Sequence, residues 1–324
     1  MRSIAVTFAA LFALVAPASL SAQAESWPSG TVKFIVPFAA GASPDIIARI
    51  LGEKLQQRTG KPFIIENRPG ASGNTGTDAV AKAPGDGLTI GISLFGPMGM
   101  NTVLMKNMTY DPFKDIAPVT MLTSQPSVLA VSNELGVNTV GELIALLKKN
   151  PGKYNYASIG RGSLSHLSME LIAAKSGTEV VHVVFGGSPQ AAQAGMQNDV
   201  QRPVLPGVAG GPLATDGKMK ILAVTEAKRS KFLPNVPTFA EAGIDGVEAS
   251  AWNALIAPPG TPPAMLEEIY KQTAAAMNEP DVISKLAAQM IEVRTSTPKA
   301  MSQFVRDEMV RWGVVVKAAK IEPQ

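Results

Sequence analysis

The chain of 324 residues has no cysteine and only two histidines, His166 and His182. Without thiols there can be no disulfide, no lipid-anchored N-terminal Cys and no thiolate chemistry. Two histidines with no H-x-x-x-H or H-E-x-x-H spacing do not make a metal centre, so neither a metal nor a cofactor is expected. Neither sign of charge is in large excess. The formal net charge is +3, and Arg2 is the only charged residue among the first 24, so the chain without them carries +2. Lys and Arg are scattered, and their densest run, Lys228–Lys231, is short. This balance gives no basis for a nucleic-acid or membrane-surface partner. No stretch approaches the roughly 18 uninterrupted apolar residues of a membrane span. The nucleophile elbow G-x-S-x-G is missing, as are a Walker lysine and the G-x-G-x-x-G fingerprint.

The N-terminus is informative. Arg2 precedes an apolar stretch from Ile4 to Val15, then Pro17 and Ala22-Gln23-Ala24. That order of charged, apolar and small-residue regions is a secretory signal peptide, with cleavage expected after Ala24. The expectation is an exported, periplasmic protein. At this length, and with 46% hydrophobic residues, the mature chain has enough for two domains with buried cores.

Strands alternate with helices along the rest of the chain, which indicates an α/β class with mostly parallel sheets. Val32–Val36 reads as a buried strand followed by a small-residue loop and a helix. Ser43 is placed to cap that helix, Pro44 suits its first position, and Asp45 sits where the helix dipole favours a carboxylate. Ser188-Pro189, Thr261-Pro262 and Thr297-Pro298 repeat this helix-start signal. Thr139-Val140-Gly141-Glu142 reads as a capping box. A second strand–loop–helix unit lies at Tyr154–His166, with its helix expected from Leu167 to Lys175. Backbone N–H groups at such helix starts suit an anion, and α/β sheets bind ligands at the carboxyl ends of their strands. If both loops face one cleft, a carboxylate could be held from both sides, with Arg161 adding a charge-assisted contact. Ser163, Ser165 and His166 are close in sequence, but without the elbow they do not make a hydrolase triad. The segment from 198 to 211, with two prolines and three glycines, has no clear pattern.

The stretches VPFAAGASPDIIAR (36–49), IIENRPGASGNTG (64–76), YDPFKDIAPVT (110–120), NYASIGRGSLSHL (155–167), LAVTEAKRSKFLPNVPTFAEAG (222–243) and APPGTPP (257–263) carry a resemblance. In this order, and nearly end to end, they resemble the solute receptors of tripartite tricarboxylate transporters, the Bug-type periplasmic binding proteins. The resemblance implies a type II periplasmic-binding-protein architecture. Two α/β domains joined by two crossing segments would close around a ligand cleft, as a Venus flytrap does. The expected division is a signal peptide at 1–24, a first domain from 25–124 plus 250–324, and a second domain at 125–249.

The implied function is capture of a small organic carboxylate, an aromatic or aliphatic mono- or dicarboxylate, by a monomer that hands it to membrane permease subunits. A sensor docking on a signalling partner and a secreted carboxylate- or ester-processing enzyme are the alternatives. No catalytic residue is expected. Candidate ligand contacts in the first loop are Phe38, Ala39, Gly41, Ala42, Ser43 and Asp45. Ser93 and Phe95 at the end of the third strand are further candidates. The second loop offers Ser158, Ile159, Gly160, Arg161, Ser163 and His166, and Phe185 and Leu205 complete the set. The chain departs from the family pattern at three places. Gly41-Ala42-Ser43-Pro44-Asp45 stands for G-G-G-T-D, and His182-Val183-Val184-Phe185-Gly186-Gly187 stands for H-V-P-Y-K-G. Leu205 aligns where members often carry an acid able to meet an amino group, and its loss argues against an amino-acid ligand.

Overall fold

The computed structural model describes residues 27–201, 204–206, 213, 216–318 and 321–323. The expected signal peptide and its cleavage site lie outside these residues. The strands in chain order are β1 (Val32–Val36), β2 (Phe63–Asn67), β3 (Thr89–Leu94), β4 (Ala117–Gln125), β5 (Ser127–Ser132), β6 (Asn155–Ser158), β7 (Val181–Val184), β8 (Val204–Pro206), β9 (Met219–Val224), β10 (Ala251–Ala257) and β11 (Glu292–Val293). The helices are α1 (Ser43–Thr59), α2 (Asn74–Ala81), α3 (Asn101–Leu104), α4 (Val140–Lys149), α5 (Leu164–Ser176), α6 (Ser188–Met196), α7 (Pro263–Met277), α8 (Pro280–Ala287) and α9 (Pro298–Ala318).

A six-stranded sheet in the order β11-β4-β10-β3-β1-β2 forms one lobe, and sheets β8-β5-β9 and β6-β7 form the other. The two-domain α/β architecture is therefore present, but the expectation of mostly parallel sheets is not met. The β1–β2, β1–β3 and β6–β7 ladders are parallel, whereas β10 runs antiparallel to both β3 and β4, and β5 runs antiparallel to both β8 and β9. The cause is connectivity. β10 brings the chain back from the second lobe, so it enters the first sheet against the direction of the strands already there.

Alternation along the strands divides the large sheet's two faces. Phe34 packs with Leu51, Leu55 and Ile90 beneath α1, whereas Ile35 joins Phe95, Trp252 and Trp312 on the opposite face. α1 is anchored by Ile47, Ala48, Leu51 and Leu55, all fully buried along one stripe. Its end is marked by Gly60 at φ +69°, a left-handed C-cap.

Two crossings join the lobes. Only Pro126 separates β4 from β5. The return strand β10 is tied to the same spot by Thr225, whose backbone N–H donates to Ser127 O (2.9 Å), while its hydroxyl donates to Ala249 O (2.6 Å). The lobes are also in contact away from the crossings. Leu164 and Leu167 of α5 enter the first lobe's core beside Met100 and Leu104.

Several helix starts differ in detail from expectation. α1 is capped by the backbone of Ala42, and Ser43 is its first residue. α6 likewise begins at Ser188 behind Gly187, and α7 begins one residue after Pro262. In these three the proline follows the cap by one or two positions, so the preceding hydroxyl residue is released for other contacts. Thr297 does cap as expected, accepting from Ala300 N–H at 3.2 Å. Thr139 accepts from Glu142 N–H at 3.1 Å, but the Glu142 carboxylate reaches Asn138 N–H rather than closing the box on Thr139. α5 starts at Leu164, three residues before the expected point, because Ser163 is its N-cap and accepts from His166 N–H (3.3 Å).

Candidate ligand-binding cleft

Between the lobes lies a cavity of about 50 Å³. Its walls come from both lobes and both crossings. Phe38 and Ala42 to Pro44 come from the first loop and helix start, Leu94 to Pro97 from the end of β3, and Ile159 and Ser163 to Ser165 from the second loop. Gln125, Ser127 and Ala251 to Asn253 come from the crossings, and Ser72 and Ser188 complete the wall.

The electrostatics follow from what lines it. Among the described lining residues none is Asp, Glu, Lys, Arg or His, and six are serines: Ser43, Ser72, Ser127, Ser163, Ser165 and Ser188. Three helices present their first turns here, α1 at Ser43, α5 at Leu164 and α6 at Ser188. Each N-terminus is equivalent to roughly half a positive charge and offers N–H groups without intrahelical partners. The cavity is therefore positive without a cationic side chain, a surface that accepts an anion.

The first loop is held by Asp45. Burial alone would raise this carboxyl, but hydrogen bonds from Arg49, Gly41 N–H and Asn67, with the Arg49 charge, outweigh it and hold Asp45 below the usual carboxylate range. Its Oδ2 accepts from Gly41 N–H and Arg49 Nε, both at 2.9 Å, and its Oδ1 from Asn67 Nδ2 at 3.0 Å. Asn67 Nδ2 also holds Phe38 O at 3.0 Å. Asp45 is thus fully engaged behind the loop and does not line the cavity. Ala39 accepts from Ala42 N–H (3.2 Å), shaping the turn, and Gly41 is exposed at φ +81°.

The second loop is held by two stacked histidines. His166 and His182 lie face to face with ring centroids 4.2 Å apart, and Tyr156 stacks on the far side of His182 at 4.8 Å. His166 Nδ1 accepts from Gly162 N–H at 3.1 Å, and His182 Nε2 meets Ser158 Oγ at 2.6 Å. Burial, the neighbouring His182 and Arg161 push the His166 pKa down to about 3, and burial with Arg161 lowers His182 to about 4. Both rings are neutral at pH 7 and position the loop; neither lines the cavity. Ser163 donates to Gly160 O (2.5 Å) and meets Ser165 Oγ at 3.0 Å.

The candidate contacts therefore divide. Phe38, Ala42, Ser43, Phe95, Ile159 and Ser163 meet around the cavity. Ser93 is buried beneath it, bonded to Thr77 Oγ1 at 3.0 Å, and Ser158 and His166 lie in the layer behind the second loop. Gly160, Arg161 and Phe185 border a separate outer groove that also reaches Phe38 and Ile159. Leu205 pairs with Val128 in the β5–β8 ladder, and its side chain lies outside what is described. Sequence reasoning missed Gln125, Ser127, Ser188, Trp252 and Asn253. The usable signal was the crossing itself, since residues at a domain crossing must border the cleft. In the sequence Ser188 reads only as helix punctuation.

This geometry has counterparts in known proteins. A model of the family described as "Tripartite tricarboxylate transporter family receptor" matches residues 47–321. The chain belongs to that receptor family. Protein BugT of Bordetella pertussis is 32% identical over 324 residues, covering 96% of this chain and 94% of BugT. The Bug-type receptor fold is shared with two solved proteins of Rhodopseudomonas palustris. Rpa4515, solved with adipate, is 34% identical with a TM-score of 0.89, covering 92% of this chain and all of that one (100%). MatC, solved with bound malate, is 30% identical with a TM-score of 0.85, covering 90% and 100%.

Proposed function

We propose that this receptor captures a small organic carboxylate in the periplasm and delivers it to the membrane permease of a tripartite tricarboxylate-type transporter. The observation that carries the reading is the charge-free, serine-lined cavity on which three helix N-termini converge. The structures of Rpa4515 with adipate and MatC with malate support the ligand class.

The exported form would begin at Glu25 and act as a monomer. Its first domain would run from 25 to 124 and from 250 to 324, its second from 125 to 249, hinged at Pro126 and Thr225. A carboxylate bridging Ser43 of one lobe and Ser163 and Ser165 of the other stabilises only the closed form, because those groups face each other only there. That difference in contacts is the free energy available for closure.

An enzymatic reading has one geometric feature in its favour, the 2.6 Å approach of Ser158 Oγ to His182 Nε2. Ser158 is fully buried and neither residue lines the cavity, so a substrate held there would not meet the pair. A sensor would use the same cavity and differ only in its membrane partner.

Thermal melting and small-angle scattering of the mature protein test the reading against aliphatic and aromatic acids. At least one acid is expected to raise the melting temperature and shrink the radius of gyration. A panel that changes neither would remove the receptor function, and turnover of a bound acid would replace it with an enzyme.

A further inference from the structure

Gln125, Trp252 and Asn253 line the cavity and are 2%, 3% and 0% exposed. Each carries a buried polar atom with no hydrogen-bond partner among the described residues: Gln125 Oε1, Trp252 Nε1 and Asn253 Oδ1. In the β4–β10 ladder Ala251 pairs with Gln125 and Asn253 with Thr123, so the two amides share one face of the sheet, while Trp252 borders the cavity from the other face. Buried polar groups in folded proteins are nearly always paired, because an unpaired one keeps the whole cost of its lost hydration. Three such atoms around one cavity point to a ligand that supplies partners there.

We propose that these residues form the receptor's specificity subsite, and that the ligand is a hydroxy acid whose hydroxyl they bind. The proposal rests on the reading that the cavity holds a carboxylate. The other halves of the amides are bonded to hydroxyls. Asn253 Nδ2 donates to Thr123 Oγ1 (3.1 Å) and Gln125 Nε2 donates to Ser43 Oγ (2.9 Å), so each amide leaves its carbonyl oxygen free. The Gln125 bond also leaves the Ser43 hydrogen free to donate to the ligand's carboxylate. Clamp and subsite are thus linked through one chain, from the Gln125 amide to the Ser43 hydroxyl to the carboxylate.

The amide face offers two acceptors, of which one hydroxyl hydrogen pairs one, and the indole N–H offers a donor from the other side of the cavity. A hydroxyl both donates and accepts. An ammonium only donates, and no carboxylate side chain is among the described lining residues to balance its charge. An oxo group only accepts, and an unsubstituted methylene leaves all three atoms unpaired. Sites built to bond a substrate hydroxyl discriminate strongly against analogues that lack it.

Calorimetric titration of the mature protein with acids matched in skeleton tests this. One series is propionate, lactate, pyruvate and alanine; the other is succinate, malate and aspartate. In a series that binds, the hydroxy acid should be at least about tenfold tighter than its parent acid, and tighter than the oxo and amino members. A parent, oxo or amino acid that binds as tightly as the hydroxy acid overturns the proposal while leaving the carboxylate reading standing. No binding by any acid, in these series or in a broad panel, overturns both. The variants Gln125→Met and Asn253→Leu, with circular dichroism as a folding control, should bring hydroxy and parent acids to within about threefold of each other. A full hydroxy preference in both folded variants would contradict the assignment to these residues.

Discussion

Gly160 offers the sharpest separation of loop geometry from cleft closure. It sits at φ +139°, and a Cβ built on it would stand 2.7 Å from Ser72 Cβ and 3.1 Å from Ser72 Cα. Ser72 belongs to the other lobe, so Gly160→Ala has two costs of different kinds. Backbone strain of about 1–3 kcal/mol is present whether the lobes are open or closed. The collision with Ser72, about 1–3 kcal/mol as for other overpacked contacts, exists only in the closed state. Melting of the ligand-free protein reads mainly the first cost and ligand affinity reads the second. At 1.4 kcal/mol per factor of ten, affinity should fall by about 5- to 150-fold. Gly41→Ala is the control, because Gly41 is also at positive φ (+81°) but its added Cβ meets nothing within 4 Å. It should lower the melting temperature and leave affinity within a few-fold. Adding Ser72→Gly to Gly160→Ala removes the 2.7 Å contact and should recover most of the lost affinity. Calorimetry on the four proteins decides. Equal affinity losses in the two glycine variants, or no recovery in the double variant, would refute closure onto Ser72.

Three further outcomes follow from the same geometry. Asp45→Asn removes the carboxylate that holds Gly41, Arg49 and Asn67, and ligand affinity should fall about tenfold through loosening of the loop. Because Asp45 has a depressed pKa in the folded state, its stabilisation is complete above the ordinary value near 3.8 and fades as pH falls through the lower folded value. Melting curves of wild type and variant should differ at pH 7 and converge in strong acid. The histidine stack has the same acid sensitivity from the opposite charge. Since His166 and His182 bind a proton less readily folded, near 3 and 4, than unfolded, near 6.5, the unfolded chain takes up more protons between those values, so stability falls as pH drops below 6.5. His166→Gln should flatten the melting-temperature profile between pH 6.5 and 4; an unchanged slope would contradict burial as its cause. Of the tryptophans, Trp27 and Trp312 lie in the cores and Trp252 lines the cavity. Ligand-induced change in tryptophan fluorescence should therefore disappear in Trp252→Phe.

The legible and illegible parts of the chain differ for physical reasons. Both small-residue loops stand out locally because a helix start after a strand needs proline, serine and glycine at fixed offsets, and those residues mark themselves. The exact cap does not: Ser43 and Ala42 are equally compatible with Pro44, and only the 2.9 Å bond from Gln125 shows what the freed serine hydroxyl does. Strand direction was misread because alternation of strands and helices carries no information about a chain that returns from a second lobe as β10. Gln125, Trp252 and Asn253 were invisible for the same reason. Within a strand they look like ordinary buried residues, and their position beside the cleft comes from pairing β4 with β10 across more than a hundred residues of sequence. Asp45, which is awkward beside an anion if read in sequence alone, is accounted for by its three donors behind the loop.

The central claim is that neutral donors and helix N-termini, with no cationic side chain among the described lining residues, bind a carboxylate between the lobes. The most direct test is calorimetric titration with the tightest-binding acid of the panel and with its primary amide, which has the same shape and no charge. Binding of the acid at least about a hundredfold tighter than the amide is predicted, the scale of charge-assisted hydrogen bonds gained over neutral ones. Equal affinity for acid and amide would contradict the account.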